Sequence, residues 1–296
     1  MPLLHAIGCL LGFGFAIAGV LSGGKIVMAE TGLSPLFLAS MQYLLAAAAL
    51  LIVLRPPRAL WRRVRRHWVF YMIAALGGIA FPQVVVFLVV PHLGAAVTAM
   101  MFLFPPLLTY AFALGFSMER FDGLGLAGLL LGLLGGALLF WGQGLSAGGT
   151  QLWLAAAFLA PLSQAAGNIY RSKFWPADMP TGMFTAVILV FAGALPLAAS
   201  VVLPGSGSIA TLAAKHWIII ALSSAASGGG YFLFFYLQRR TGPVYVSQGG
   251  YVIAAFGILS GALLFGERLP ALALVGAASV GCGIALYTMR AFKAGK

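Results

Sequence analysis

The sequence predicts an all-α integral membrane protein, with ten transmembrane helices arranged as two inverted five-helix repeats. Three observations carry that prediction: an apolar composition, a ladder of hydrophobic segments near spanning length, and a self-similarity at a shift of 148 positions in a chain of 296. Hydrophobic residues make up 62% of the chain and charged ones 7%, with five acidic residues in all. A soluble surface needs about a quarter charged residues to stay dispersed. No charge-rich stretch is long enough to fold as a separate soluble domain, so the chain reads as one membrane unit.

Breaks at glycine, proline and charge clusters leave apolar segments at about 4–24, 33–54, 67–90, 94–116, 123–141, 151–172, 181–203, 215–238, 243–265 and 270–289. Each approaches the roughly 20 residues that a helix needs to cross the hydrocarbon core. None shows the alternation of a barrel strand, and a spanning backbone must satisfy its own hydrogen bonds, so all ten read as helices. The first segment has no basic leader and is too long for a signal core, so it is expected to be retained, with the chain beginning near Met1. Cys9 and Cys282 fall inside apolar segments as small hydrophobes, with no spacing that suggests a disulfide or a metal. No metal and no cofactor is expected.

The net charge of +12 is distributed as a topology signal. Arg55, Arg58, Arg62, Arg63, Arg65, Arg66, Arg120, Arg171, Lys173, Arg239, Arg240, Arg290, Lys293 and Lys296 fall on one side, against Lys25, Lys215 and Arg268 on the other. Basic residues flanking spans stay on the cytoplasmic side, which puts both termini there. The basic run is one short loop beside a helix, so no nucleic-acid partner is expected.

A shift of 148 superimposes Gly94 on Gly242, Glu119–Arg120 on Glu267–Arg268, Lys25 on Lys173, Glu30 on Asp178 and Gly128 on Gly276. A shift of 149 pairs His67–Trp68 with His216–Trp217. The halves are 1–148 and 149–296. Five helices is an odd number, so the second half enters the membrane upside down relative to the first, an architecture of many secondary transporters. The repeated Glu-Arg pair reads best as a helix-end cap at the headgroups, with a gate or proton site as the functional alternative.

Polar residues that break the repeat mark a candidate site. Gln164 and Asn168 lie four apart on one helical face, opposite Ala16 and Val20 in the other half, while Ser247, Gln248 and Tyr251 stand opposite Ala99, Met100 and Leu103. Buried amides in a bilayer need partners or a wet cavity, so these five are candidates for substrate contact, with interhelical hydrogen bonding as the alternative. Gln83 follows Pro82 in the third segment, and Phe104 precedes Pro105 and Pro106 in the fourth. Tyr231 follows three glycines in the eighth. Gln83, Phe104 and Tyr231 complete the substrate-binding candidates, and Pro82, Pro105 and Gly229 are the hinge candidates.

Other classes fit less well. An embedded enzyme needs a convergent catalytic cluster, and no HExxH, CxxC or Walker pattern occurs. A channel predicts polar rings repeated in each half, whereas the polar load here is asymmetric. His5, His67, His92 and His216 lie near segment ends, and Glu30, Glu119, Asp122, Asp178 and Glu267 all lie in or beside loops, which argues against a buried carboxylate that carries protons. The faces Gly128/Gly132/Gly136 and Gly257/Gly261 permit close packing, within a monomer or between the copies of a homodimer.

In each half, the fourth segment runs into a Glu-Arg pair, "YAFALGFSMERF" and "GILSGALLFGERL", before a glycine-rich fifth, "GLGLAGLLLGLLGGALLF" and "ALALVGAASVGCGIALY". This pattern resembles the EamA-type members of the drug/metabolite transporter superfamily over nearly the whole chain. The resemblance implies a bacterial inner-membrane exporter of small metabolites, with aromatic amino-acid exporters among its relatives and membrane lipids as surroundings. It also implies a cavity lined by segments 1, 3, 4, 6, 8 and 9, with segments 5 and 10 peripheral. Those exporters are expected to carry Asn-Tyr-Leu-Trp-Pro in the fourth segment, where this chain reads "MFLFPP" and keeps only the aromatic-proline pair Phe104–Pro105. The expected substrate is an amino acid, aromatic or methionine, with a lipid or amphipathic-drug flippase as the alternative.

Overall fold

The computed structural model describes residues 2–93, 101–141, 151–202, 209–266 and 271–293. Among these the regular elements are all helical: α1 Leu3–Thr31, α2 Pro35–Leu54, α3 Arg58–Arg66, α4 Trp68–Leu93, α5 Pro105–Gly115, α6 Gly123–Trp141, α7 Gln151–Phe174, α8 Thr181–Val202, α9 Ala214–Thr241, α10 Pro243–Ser247, α11 Gly249–Phe265 and α12 Ala271–Lys293. Two short 3-10 turns lie at Met101–Leu103 and Ile209–Thr211. Among the described residues seven helices are long and apolar enough to cross a membrane, with α10 and α11 counted together, and α6 and α12 contain shorter apolar stretches.

Local chemistry sets the boundaries. Gly32 ends α1 in the left-handed region at φ 67°, with its N–H on Met28 O, and Pro35 starts α2 at a position where no donor is needed. Pro56 and Pro57 stop the chain before α3, whose arginines lie on the protein surface. Asp122 accepts the N–H of Gly125 at 3.0 Å and so caps α6.

Two expectations are corrected. The fourth segment is not one helix in its described part, because Phe104 separates the Met101–Leu103 turn from α5, which starts on Pro105 and Pro106. Likewise the ninth segment breaks at Gln248, between α10 and α11. Gly94 and the pair Glu267–Arg268 lie outside the described residues. Glu119, the acid of the other pair, bridges to Arg290 of α12 at 3.4 Å, and Asp122 bridges to the same arginine at 2.6 Å. These contacts tie the α5–α6 connection to α12.

Helix pairings follow the repeat. α1 packs on α9 and α11, while α7, its counterpart, packs on α4 and α5; α2 packs on α8, and α6 on α12. In the last pair glycines set the distance. A Cβ on Gly128 would sit 2.9 Å from Gly283 O, and one on Gly135 would sit 2.7 Å from Gly276 O. Adding 148 turns Gly128 into Gly276 and Gly135 into Gly283, so the two contacts exchange under the repeat. A Cβ on Gly132 would strike the Tyr251 ring, so this glycine face is used inside one chain.

Candidate functional site

The site begins with an irregularity in α4. Residues Leu76–Ala80 form a π turn, and Phe81 N–H reaches back to Leu76 O instead of Gly77 O. Gly77 O is therefore free to accept the hydroxyl of Ser163 on α7. Pro82 has no N–H to offer Gly78 O, which keeps the turn from tightening into a regular helix. Gly78 lies so close to Gly167 that a Cβ on Gly167 would meet Gly78 Cα at 2.5 Å. The same bare glycine leaves room for the guanidinium of Arg171.

Arg171 is the largest difference from the sequence reading, which counted it only among the basic residues that flank spans. It lies in α7 and is 1% exposed. Nε–H donates to Gln238 Oε1 at 3.2 Å, Nη1 donates to Ala74 O at 3.1 Å, and Nη2 donates to Asn168 Oδ1. Asn168 Nδ2 donates in turn to Thr109 Oγ1 of α5 at 3.4 Å. Gln238 Nε2 donates to Asn168 O at 2.8 Å and to Ser172 Oγ at 2.9 Å. The guanidinium also lies 5.7 Å from the Phe234 ring centre and 5.6 Å from that of Phe235. This network joins α4, α5, α7 and α9. Among the described residues, no carboxylate touches Arg171.

Arg171 forms one end of a cavity of about 460 Å³. The far end reaches Met28, exposed Pro35 and Leu38 beside the α1–α2 turn. Between these ends the wall carries Gln42, Gln83, Gln164 and Asn168 as amides, and Phe13, Tyr43, Tyr231 and Phe234 as rings. The Tyr43 and Tyr231 hydroxyls stand 3.3 Å apart. Gln164 Oε1 and Ser227 Oγ are buried with no hydrogen-bond partner among the described residues. The wall therefore offers a ring-lined region, neutral amides and hydroxyls, and one cation.

Beyond the Arg171 end lies a second cleft, of about 520 Å³, lined by Glu119, Ser172, Trp175, Gln238, Arg239 and Arg290 among others. Gln238 and Ser172 belong to its wall while Gln238 also holds Arg171, so one layer of side chains separates cleft from cavity. Aromatic packing reinforces the layer: Trp175 stacks on Phe184 at 3.7 Å between ring centres, and Phe184 meets Phe235 edge-on at 5.0 Å.

Of the residues singled out from sequence, Gln83, Gln164, Asn168, Tyr231, Ser247 and Pro105 lie in the cavity wall. The Ser247 hydroxyl donates to Val244 O at 2.7 Å, within its own helix. Phe104, Gln248 and Tyr251 are not in that wall. Phe104 packs edge-on against Phe158 at 5.6 Å. The Tyr251 hydroxyl donates to Leu129 O of α6 at 3.0 Å, where the bare Gly132 makes room for the ring. Gln248 is fully buried at the α10–α11 break, with both amide atoms unpartnered among the described residues. Pro82 is buried behind the wall, and Gly229 faces outward with nothing within 4 Å of a built Cβ.

The sequence reading missed Arg171, Gln42 and Gln238. Signals for all three were present: Arg171 lies one turn beyond Asn168 and opposite Gly23, Gln42 stands opposite Val190, and Gln238 opposite Val90.

Fold and cavity define a polytopic helical membrane protein with an internal solute-sized site. The sequence pattern of the EamA-like transporter family matches residues 5–141 and again 151–289. The chain belongs to that family and is a membrane transporter. One solved crystal structure superposes on it with a TM-score of 0.74, covering 97% of this chain and 98% of its own at 18% identity, a likeness of fold. No protein of curated function matches the sequence significantly.

Proposed function

We propose that the protein is a secondary carrier that exports a small polar organic solute, an amino acid with an aromatic or otherwise apolar side chain, by alternating access across a bacterial inner membrane. The observation that carries this reading is the cavity that ends on Arg171, one side-chain layer from the cleft behind it. Its volume of about 460 Å³ falls in the range of roughly 300–1,000 Å³ common for small-molecule sites. Its wall pairs rings for an apolar side chain with amides for polar groups. Access from the other side requires the Arg171–Gln238 layer to part and the α1–α2 end to close.

The reading includes ten crossings in two inverted halves with both termini in the cytoplasm. Its support is the exchange of glycine contacts between α6 and α12 under the 148-residue shift and the crowding of Lys and Arg on one side. Breaks in the fourth and ninth segments, with Pro105 at one of them, supply places where the halves can pivot. Pro82 and the glycines of α9 are further candidates.

The test is uptake of radiolabelled amino acids into proteoliposomes, run as a panel with and without an imposed pH gradient. Saturable uptake of Phe, Trp or Met that ignores the gradient is the expected result. No uptake of any member by folded protein would remove the amino-acid reading and favour lipids or amphipathic drugs.

A further inference from the structure

Arg171 is a cation 1% exposed, inside a helix bundle, in the wall of a cavity, and without a carboxylate among its described neighbours. Burying an uncompensated charge in a membrane protein is costly, and residues kept in that state mark ligand or ion pathways. A structural tie explains part of the arrangement. Guanidinium has five N–H donors, and three are used: Nε on Gln238, one on Nη1 for Ala74 O, one on Nη2 for Asn168. Two remain, one on each terminal nitrogen, and a carboxylate oxygen is a charge-assisted acceptor for such a donor.

Resting on the carrier reading above, we propose that Arg171 is the anion-recognition point of the cavity and that the carried solute bears a single carboxylate. One positive charge matches one negative charge. Arg171 is the sole charged side chain among the described residues of the wall, so a doubly charged phosphate would leave a negative charge unmatched in a buried site. The remaining wall fits the rest of such a solute. Phe13, Tyr43, Tyr231 and Phe234 offer ring surface to an apolar tail, and the unpartnered Gln164 Oε1 accepts from an ammonium or hydroxyl. Asn168 and Gln238 are positioning residues, since they fix the guanidinium plane without being the charge that is read.

The experiment compares matched acids and amides on the purified full-length protein by protection against thermal unfolding: 3-phenylpropionate against 3-phenylpropionamide, and L-phenylalanine against L-phenylalaninamide. The expected result is that the acid of at least one pair protects, with the amide bound about tenfold or more weakly, as the loss of a charge-assisted hydrogen bond predicts. Protection by L-phenylalanine alone identifies an amino-acid site, and protection by both acids identifies a general monocarboxylate site. Arg171→Gln removes the preference for the acid, and Arg171→Lys keeps part of it. Equal binding of acid and amide, protection by neither acid, or an acid preference that survives in Arg171→Gln overturns the proposal. If Arg171→Gln does not fold, the wild-type pairs alone decide. Uptake of labelled L-phenylalanine and L-phenylalaninamide into proteoliposomes separates the two readings. Acid-selective protection without flux removes the carrier and leaves the recognition site, whereas equal flux of both compounds keeps the carrier and removes the role of Arg171.

Discussion

Nε of Arg171 donates to Oε1 of Gln238 at 3.2 Å, and this one contact joins the end wall of the cavity to the wall of the cleft behind it. Replacing Gln238 by Leu leaves a buried charged donor without its acceptor, a loss of about 1–3 kcal/mol. The expected outcome is a lower unfolding midpoint in detergent. Gln238→Glu supplies Arg171 with the counter-ion it lacks, at the loss of the amide donor on Asn168 O. Binding of carboxylate solutes should fall about tenfold or more in this variant, and one that keeps full affinity would contradict the electrostatic argument.

Packing of α6 on α12 can be tested with two neighbouring glycines. A Cβ at Gly283 would lie 2.6 Å from Gly128 O and 2.7 Å from Gly132 N, whereas one at Gly281 meets nothing within 4 Å. Gly283→Ala should destabilise the protein by at least about 1–3 kcal/mol through overpacking against backbone. Gly281→Ala should be neutral or stabilising by about 0.5–1 kcal/mol, through helix propensity alone. Thermal unfolding of both variants measures the contrast.

Tyr251 and Gln164 separate scaffold from site. Tyr251→Phe deletes the hydroxyl on Leu129 O and should cost about 1 kcal/mol of stability while leaving solute affinity unchanged. Gln164→Leu removes an oxygen that has no partner among the described residues, so stability should hold or rise while uptake falls. Parallel unfolding and uptake assays read both effects, and an unfolding midpoint that collapses in Gln164→Leu would make that residue part of the scaffold.

At the other end of the bundle, His216 accepts Ala213 N–H on Nδ1 at 2.9 Å, so Nε2 carries the proton and donates to Glu30 at 2.9 Å. This pins the start of α9 to the last turn of α1. His216→Ala should lose about 1–2 kcal/mol, since His216 is buried and both bonds disappear. Lys215 also pairs with Glu30, but its side chain is 64% exposed, and Lys215→Ala should change stability by less than about 1 kcal/mol.

Seven of the span positions were legible because hydrocarbon thickness imposes a length on every crossing, and the repeat was legible because Gly128 and Gly276 occupy one role twice. Gln164 and Asn168 were legible as a same-face amide pair with apolar repeat partners. Arg171 was not, because a hydropathy cut treats a charge as the end of a span. The polar stripe of α7 in fact continues one turn further into the bundle. Tyr251 and Gln248 broke the symmetry for a different reason. Tyr251 fills the space beside Gly132, and Gln248 sits where α10 gives way to α11, features of tertiary packing that no residue-by-residue comparison contains. The π turn of α4 likewise depends on Ser163 from α7 to occupy a freed carbonyl.

The crossed glycine contacts mean that neither half of this protein has a finished surface of its own. α6 presents bare backbone where a side chain would strike Gly283 O or Gly276 O, and α12 presents the matching gap. A half made alone would expose that seam to lipid, and two halves made in unequal amounts would leave orphans for proteolysis. Carrying both in one polypeptide fixes their stoichiometry at synthesis, so the first half always meets its partner within the time needed to translate the second.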